Sequence, residues 1–162
     1  MTFVSQSLRT GFHENNTRIY SNEHEFYSYP SSVSLRKSMM TDIVYAELLF
    51  TIVGCAMAVH RQLGYGFLEK VNGNALSILL RKQGLSVQTQ HPITVMFEGE
   101  VVGEYFADML VEEKVILELK VAERVAEAHK AQALNYLKAT GLKLAIILNF
   151  GPKRLESHRI VN

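Results

Sequence analysis

The hydrophobic pattern becomes regular from about residue 41 and first indicates two helices. The segment 48–59 is apolar at all but one of its twelve positions. A membrane span needs about 20 apolar residues, so this length predicts a buried helix instead. A glycine loop at residues 64–66 precedes a second predicted helix over 67–83, which Gly84 would end.

A different period, in which every second residue is apolar, follows these helices and predicts strands. A later helix is predicted to be capped by Gly141, and the apolar run after it is typical of a strand covered on both faces. The predicted elements are strands at 86–97, 101–111 and 115–121, a helix at 124–140 and a strand at 142–150. The order α-α-β-β-β-α-β predicts an α/β fold with a mixed sheet flanked by helices.

Composition separates residues 1–39 from the remainder. The first 38 residues hold eight of the eleven serines, and their aromatic residues follow no period. We therefore expect a flexible N-terminal extension over 1–39 and one folded domain over 40–162. Seventeen basic against sixteen acidic residues give a net charge of +1, which excludes a polycationic DNA-coating protein. The single Cys55 cannot form an internal disulfide, so we expect a cytoplasmic protein. Because the apolar run 48–59 is too short for a membrane span, we expect no membrane association.

Two acidic residues are predicted to meet on neighbouring strands. If residues 112–114 form a three-residue loop, Val111 faces Val115, and the same register places Asp108 opposite Glu118. A two-residue loop would instead put the two carboxylates on opposite faces of the sheet. Lys120 follows Glu118 by two residues and therefore projects to the same face.

Two neighbouring carboxylates raise each other's pKa, and a hard divalent cation relieves that repulsion. The pattern therefore indicates Mg²⁺ or Mn²⁺ held by Asp108 and Glu118. Lys120 would orient the attacking water or stabilise developing charge. The alternative interpretation is an exposed hairpin face on which Lys120 forms a cross-strand ion pair.

Two helices carry further polar candidates. Glu69 lies in the first turn of the second helix, where it can reach a sheet edge. On the later helix, His129, Gln132 and Tyr136 stand at i, i+3 and i+7, on one narrow face. This stripe either lines a solvated groove or contacts a phosphate or the water shell of the metal.

These residues together resemble a known family. The run Gly66-Phe67-Leu68-Glu69 followed by Asn72 resembles the motif of the GxxExxY family, small proteins of the PD-(D/E)XK nuclease-like superfamily. The resemblance extends over residues 41–162 and implies a restriction-endonuclease-like core. It departs from the motif where Asn72 replaces a tyrosine and where Tyr65 stands in place of a common proline.

The resemblance also implies roles. Asp108 and Glu118 match the metal carboxylates and Lys120 the catalytic lysine. Glu69 matches the helical acid. Gln132 and Tyr136 match an auxiliary pair of the superfamily, and His129 is a candidate substrate-binding residue.

We therefore expect a Mg²⁺-dependent (or Mn²⁺-dependent) nuclease that hydrolyses phosphodiester bonds in DNA, with RNA as the second candidate. The alternative is a catalytically silent module of the same fold that binds a protein or nucleic-acid partner. A third idea is a transition-metal site formed by His60 and His129. The sequence leaves the oligomeric state open.

Overall fold

A computed structural model describes residues 45–162, so the predicted extension 1–39 lies outside the described residues. Within the described range the elements are α1 (Ala46–Leu63), α2 (Glu69–Lys82), β1 (Val87–Phe97), β2 (Glu100–Val111), β3 (Val115–Lys120), α3 (Glu127–Thr140), β4 (Leu144–Phe150) and β5 (Leu155–Val161). None of the helices found in this range combines the length and the apolar character needed to cross a membrane.

The strands form one mixed sheet in the order β1-β2-β3-β4-β5. Only the β3–β4 pair is parallel, because α3 carries the chain back across the sheet between these two strands. All seven residues of β4 are buried, as expected for a strand covered on both faces. The predicted mixed sheet with flanking helices is therefore confirmed.

Helices cover the two faces of the sheet with separate cores. On one face, α1 and α2 pack against alternate residues of β3, which include Leu117 and Leu119. On the other face, α3 packs through Tyr136 and Leu137 against Ile116 and its neighbours. Glu118 has the parity of Ile116, so its side chain belongs to the α3 face.

The register predicted for the β2–β3 hairpin is confirmed as far as the Met109–Leu117 pair, and the predicted Asp108–Glu118 pair lies beyond this ladder. Val111 pairs with Val115, and the ladder continues to Met109 opposite Leu117. Glu112 and Glu113 both adopt positive φ of 53°, which lets the predicted three-residue loop close without a glycine.

One strand and several element boundaries differ from the sequence prediction. Strand β5 was not predicted. It is an edge strand, and its partly exposed polar residues, such as Glu156 and Arg159, interrupt the alternation of apolar residues that indicates a strand. Helix α3 begins at Glu127 and α2 at Glu69, a few residues later than expected. Glu100 belongs to β2, since a two-residue turn with positive φ at both positions precedes it.

Candidate active site

Strands β2 and β3 separate at one point in the sheet and form a fork. Their ladder ends at the Met109–Leu117 pair, whereas β2 remains paired with β1 as far as Glu100. Asp108 is the first residue of β2 beyond the ladder. Its Oδ2 accepts a hydrogen bond of 2.7 Å from the backbone N–H of Leu119. The carboxylate of Asp108 therefore lies in the gap between the strands, against the β3 backbone.

Glu118 and Lys120 project to the same side of β3, as predicted. The distance from Lys120 Nζ to Glu118 Oε2 is 3.5 Å, and the intervening Leu119 packs into the opposite core. The Glu118 side chain is only 5% exposed. Its Oε1 is buried and has no hydrogen-bond partner within the described part of the chain. Because an unpaired buried oxygen is costly, this atom is a strong candidate for binding a ligand.

Burial changes the acidity of this group. Loss of hydration and, to a smaller extent, the negative charge of Asp108 raise the pKa of Glu118 from 4.5 to about 7, although Lys120 opposes the shift. The charge of Asp108 therefore acts on Glu118 across the fork. Near neutral pH an additional cation would favour the ionised form of Glu118.

The two carboxylates fit a hard divalent cation. Asp108 and the unpaired Oε1 of Glu118 offer oxygen ligands of the kind that Mg²⁺ and Mn²⁺ prefer. Within residues 45–162 no group of three or more His, Cys, Asp or Glu side chains is arranged to hold a metal. The protein would therefore contribute two carboxylates, and water or substrate oxygens would complete the coordination, as is usual for Mg²⁺.

Glu69 lies near this site but apart from Glu118. It is the first residue of α2, is exposed to solvent, and lines a cavity of about 500 Å³ with Asp108 on the α1–α2 face. Glu118 lies on the α3 face. Glu69 therefore shares a cavity with Asp108. Among the described residues it belongs to no group of three side chains that could hold a metal ion.

Gln132 and Tyr136 contact each other on α3. Gln132 Nε2 donates a hydrogen bond of 3.0 Å to Tyr136 Oη. Tyr136 is buried beside Leu137 in the α3 core, so the stripe predicted from the sequence faces inward at this position. Burial and the nearby Glu118 charge both raise the pKa of Tyr136, which connects the phenol electrostatically to the fork.

The two histidine candidates lie elsewhere. His129 Nδ1 accepts a 3.3 Å hydrogen bond from Ala126 N–H, so this ring caps the first turn of α3. His60, on α1, hydrogen-bonds through Nε2 to Gly151 O at 2.8 Å. Because α1 and α3 cover opposite faces of the sheet, the proposed His60–His129 metal site is wrong.

Asn149 is a positioning residue to which the sequence analysis assigned no role. It is fully buried and pairs with Lys120 in the β3–β4 register. Its Oδ1 accepts from Ala122 N–H and its Nδ2 donates to Ala122 O, both at 3.0 Å. These bonds fix the chain directly after Lys120. A single amide within the apolar run 142–150 is the signal that could have identified it.

Gly151 is needed for the same clamp. A Cβ at this position would lie 3.2 Å from Ala122 O, the carbonyl that Asn149 holds. We expect Gly151→Ala to lower the free energy of unfolding by about 1–2 kcal/mol, measured by urea denaturation. The control Gly54→Ala lies in α1 with no atom within 4 Å and should stabilise by about 1 kcal/mol. Equal stability of Gly151→Ala and the unmodified protein would contradict the close approach.

The fork in the mixed sheet places an aspartate against a strand that carries a Glu-x-Lys pair. Residues 46–160 match the family model of the PD-(D/E)XK nuclease superfamily, and the chain belongs to this superfamily. The restriction-endonuclease-like fold predicted from the sequence is confirmed by this match. The narrower GxxExxY assignment stays a prediction. Nucleases of this superfamily generally use divalent metal ions.

Two solved structures are similar to this chain. The crystal structure of SSO0001 has a TM-score of 0.49 and 19% identity over 58% of this chain, and the match spans half of SSO0001. An alkaline exonuclease (LHK-Exo) from Laribacter hongkongensis has a TM-score of 0.44 and 14% identity, with 76% of this chain and 72% of the exonuclease covered. No curated protein is significantly similar in sequence.

Proposed function

We propose that this protein is a Mg²⁺-dependent nuclease that hydrolyses phosphodiester bonds in DNA, with RNA as the second candidate substrate. Membership of a nuclease superfamily supports the general class. The observation that carries the proposal is the buried Glu118, whose Oε1 has no partner among the described residues, beside Asp108 and Lys120. A cation would lower the free-energy cost of ionising a carboxyl that is buried in this way.

In this proposal Asp108 and Glu118 hold the ion, with Mn²⁺ as a substitute for Mg²⁺. The bound ion supplies charge neutralisation and a more acidic water. Lys120 Nζ, next to Glu118, would orient the attacking water and stabilise negative charge that develops on the phosphate. Glu69, in the cavity shared with Asp108, adjusts the water structure around the ion.

The Gln132–Tyr136 pair positions the phosphate. Because Gln132 donates to Tyr136 Oη, the phenol hydrogen is free to be donated to a phosphate oxygen. The hydrogen bond from Gln132 thereby fixes the direction in which Tyr136 donates. His129 is left out of the substrate-binding set, since its ring caps α3.

The charge of the domain suits a metal-assisted enzyme. Residues 45–162 contain 13 Lys and Arg against 12 Asp and Glu, so the formal balance is 13 − 12 = +1. A bound divalent ion adds positive charge where the phosphate must bind. Cys55 is a free, buried thiol, which supports a cytoplasmic location as part of the proposal.

The test is cleavage of labelled linear and circular DNA and RNA by the full chain, with Mg²⁺ or Mn²⁺ and with EDTA. We expect cleavage that requires the metal. Lys120→Ala should lower its rate about 100- to 1000-fold, since one charge-stabilising group is lost. The control Lys114→Ala removes an exposed lysine of the β2–β3 loop and should cut at the normal rate. No cleavage of any substrate would instead favour the catalytically silent binding module.

A further inference from the structure

A second, larger cavity lies on the α3 face of the sheet. It has a volume of about 860 Å³ and lies between α3 and the far half of the β1–β2 hairpin. We call it the hairpin cavity; its walls include Val95, Met96, Val102 and Tyr105 from the hairpin and Gln132 and Asn135 from α3. Its volume is within the usual range of small-ligand sites.

We propose that the hairpin cavity binds an unpaired nucleobase, so that the substrate is single-stranded nucleic acid or a frayed end. This inference deepens the proposed nuclease function and rests on it. The cavity wall is apolar and aromatic, which matches the face of a base. The side-chain amides of Gln132 and Asn135 can both donate and accept hydrogen bonds, which matches the edge of a base.

Exposure on the hairpin side supports an occupant. Tyr105 is 49% exposed, Met96 55% and Val102 60%. These large apolar side chains stand together at the cavity, and a stacked base would remove their surface from water. Tyr105 is also held by ring contact with Tyr136, whose centroid lies 5.9 Å away. A phenol supported in this way is a suitable stacking platform.

Charge complementarity favours a single strand over a duplex. Lys138 is the one charged residue among those that line the hairpin cavity. Duplex binding depends on rows of cations that neutralise successive phosphates, and this wall offers none. Stacking on aromatic side chains supplies affinity to single strands without such a row. One lysine suffices to neutralise one phosphate beside the bound base.

One wall residue of the hairpin cavity, Tyr136, belongs to the Gln132–Tyr136 pair of the proposed active site. Gln132, its hydrogen-bond partner at 3.0 Å, lines the cavity as well. A base stacked on Tyr105, whose ring centroid is 5.9 Å from that of Tyr136, would lie next to this pair. The cavity would thereby select the nucleotide next to the bond that is cut.

The experiment is fluorescence anisotropy of the full chain in EDTA, which prevents cleavage. The probes are a labelled oligothymidine about 12 nucleotides long, a strand of equal length with abasic residues, the matching duplex, and oligouridine for RNA. We expect the strand with bases to bind about tenfold more tightly than the abasic strand, because only the bases can stack. The duplex should bind no better than the abasic strand.

Variants assign that difference to the cavity. Tyr105→Ala should abolish the tenfold preference and Tyr105→Phe should keep it. Val102→Glu, which leaves Tyr105 intact but adds a negative charge to the wall, should abolish it as well. The control Phe50→Ala removes an aromatic side chain that is 76% exposed on α1 and should change nothing.

Equal affinity for the normal and abasic strands would overturn the base site. A preference that survives both Tyr105→Ala and Val102→Glu would overturn it as well. So would the absence of binding to any probe. These outcomes are separable from failure of the nuclease proposal. Asp108→Asn should keep the base preference without cleavage. Metal-dependent cleavage with no base preference would overturn the cavity alone, and a base preference with no cleavage would overturn the nuclease alone.

Discussion

Replacing Asp108 by asparagine is expected to lower the rate of metal-dependent cleavage by at least about a thousandfold. The change removes one of the two carboxylates that would hold the ion. It should leave the fold intact, because an asparagine oxygen can still accept the hydrogen bond from Leu119 N–H. The measurements are initial cleavage rates at saturating Mg²⁺ or Mn²⁺ and metal affinity by titration calorimetry.

The matched control for this variant is Glu113→Gln. Glu113 is an acid in the exposed turn between β2 and β3, a few residues along the chain from Asp108, and it lines neither cavity. Its replacement removes the same charge and should leave rate and metal affinity unchanged. Cleavage at the normal rate by Asp108→Asn would show that the ion, if one is used, binds elsewhere.

Glu118→Gln is expected to stabilise the metal-free protein at pH 8 while it abolishes cleavage. The folded state raises the pKa of Glu118 to about 7 from an ordinary value of 4.5, so folding favours the protonated carboxyl. This contribution to stability is complete below about pH 4.5 and is lost as the pH rises through 7. A shift of this size corresponds to about 3 kcal/mol, since each pKa unit is worth about 1.4 kcal/mol.

Glutamine has nearly the same shape as glutamate and does not ionise, so the variant should not lose this stability as the pH rises. We expect its melting temperature to exceed that of the unmodified protein by about 10 °C at pH 8 and to equal it at pH 4. Thermal denaturation in EDTA at both pH values measures the difference. Added Mg²⁺ or Mn²⁺ should raise the melting temperature of the unmodified protein only, because a ligand stabilises the state that binds it.

The sign of the effect decides between two forces on Glu118. If burial dominates, the glutamine variant is the more stable one at pH 8. If the ion pair with Lys120, at 3.5 Å, dominates, the variant is the less stable one. A loss of stability at pH 8 would therefore contradict the raised pKa of Glu118 and weaken the case for a cation at the fork.

Local patterns predicted most of the elements, and the reason is geometric. Alternation in β2 and β3 fixes which side chains share a face, and the length of the Glu112–Lys114 loop fixes the register. The Glu118–Lys120 pair could be placed on one side of β3 for this reason. The edge strand β5 was missed because an edge strand is half solvated, and its charged residues break the apolar signal.

Tertiary structure decided how the candidate residues are used. Spacing alone put Tyr136 and His129 on one functional stripe, yet Tyr136 is buried against the core and His129 caps α3. Helical spacing predicts which side chains share one side of α3. Whether each of them is buried depends on the sheet that packs against that side. The paired bonds of Asn149 to Ala122 likewise join residues 27 positions apart in sequence.

By itself, the sequence determined the mixed sheet with its flanking helices and the placement of an aspartate and a Glu-x-Lys pair on paired strands. It could do so because periodicity and loop length are local properties of the chain. Only the tertiary structure decided that β2 leaves β3 at Asp108, that Glu118 is buried, and that a cavity opens under the hairpin. Burial and the pKa of a carboxyl depend on distant segments packed around it, and no local pattern encodes them.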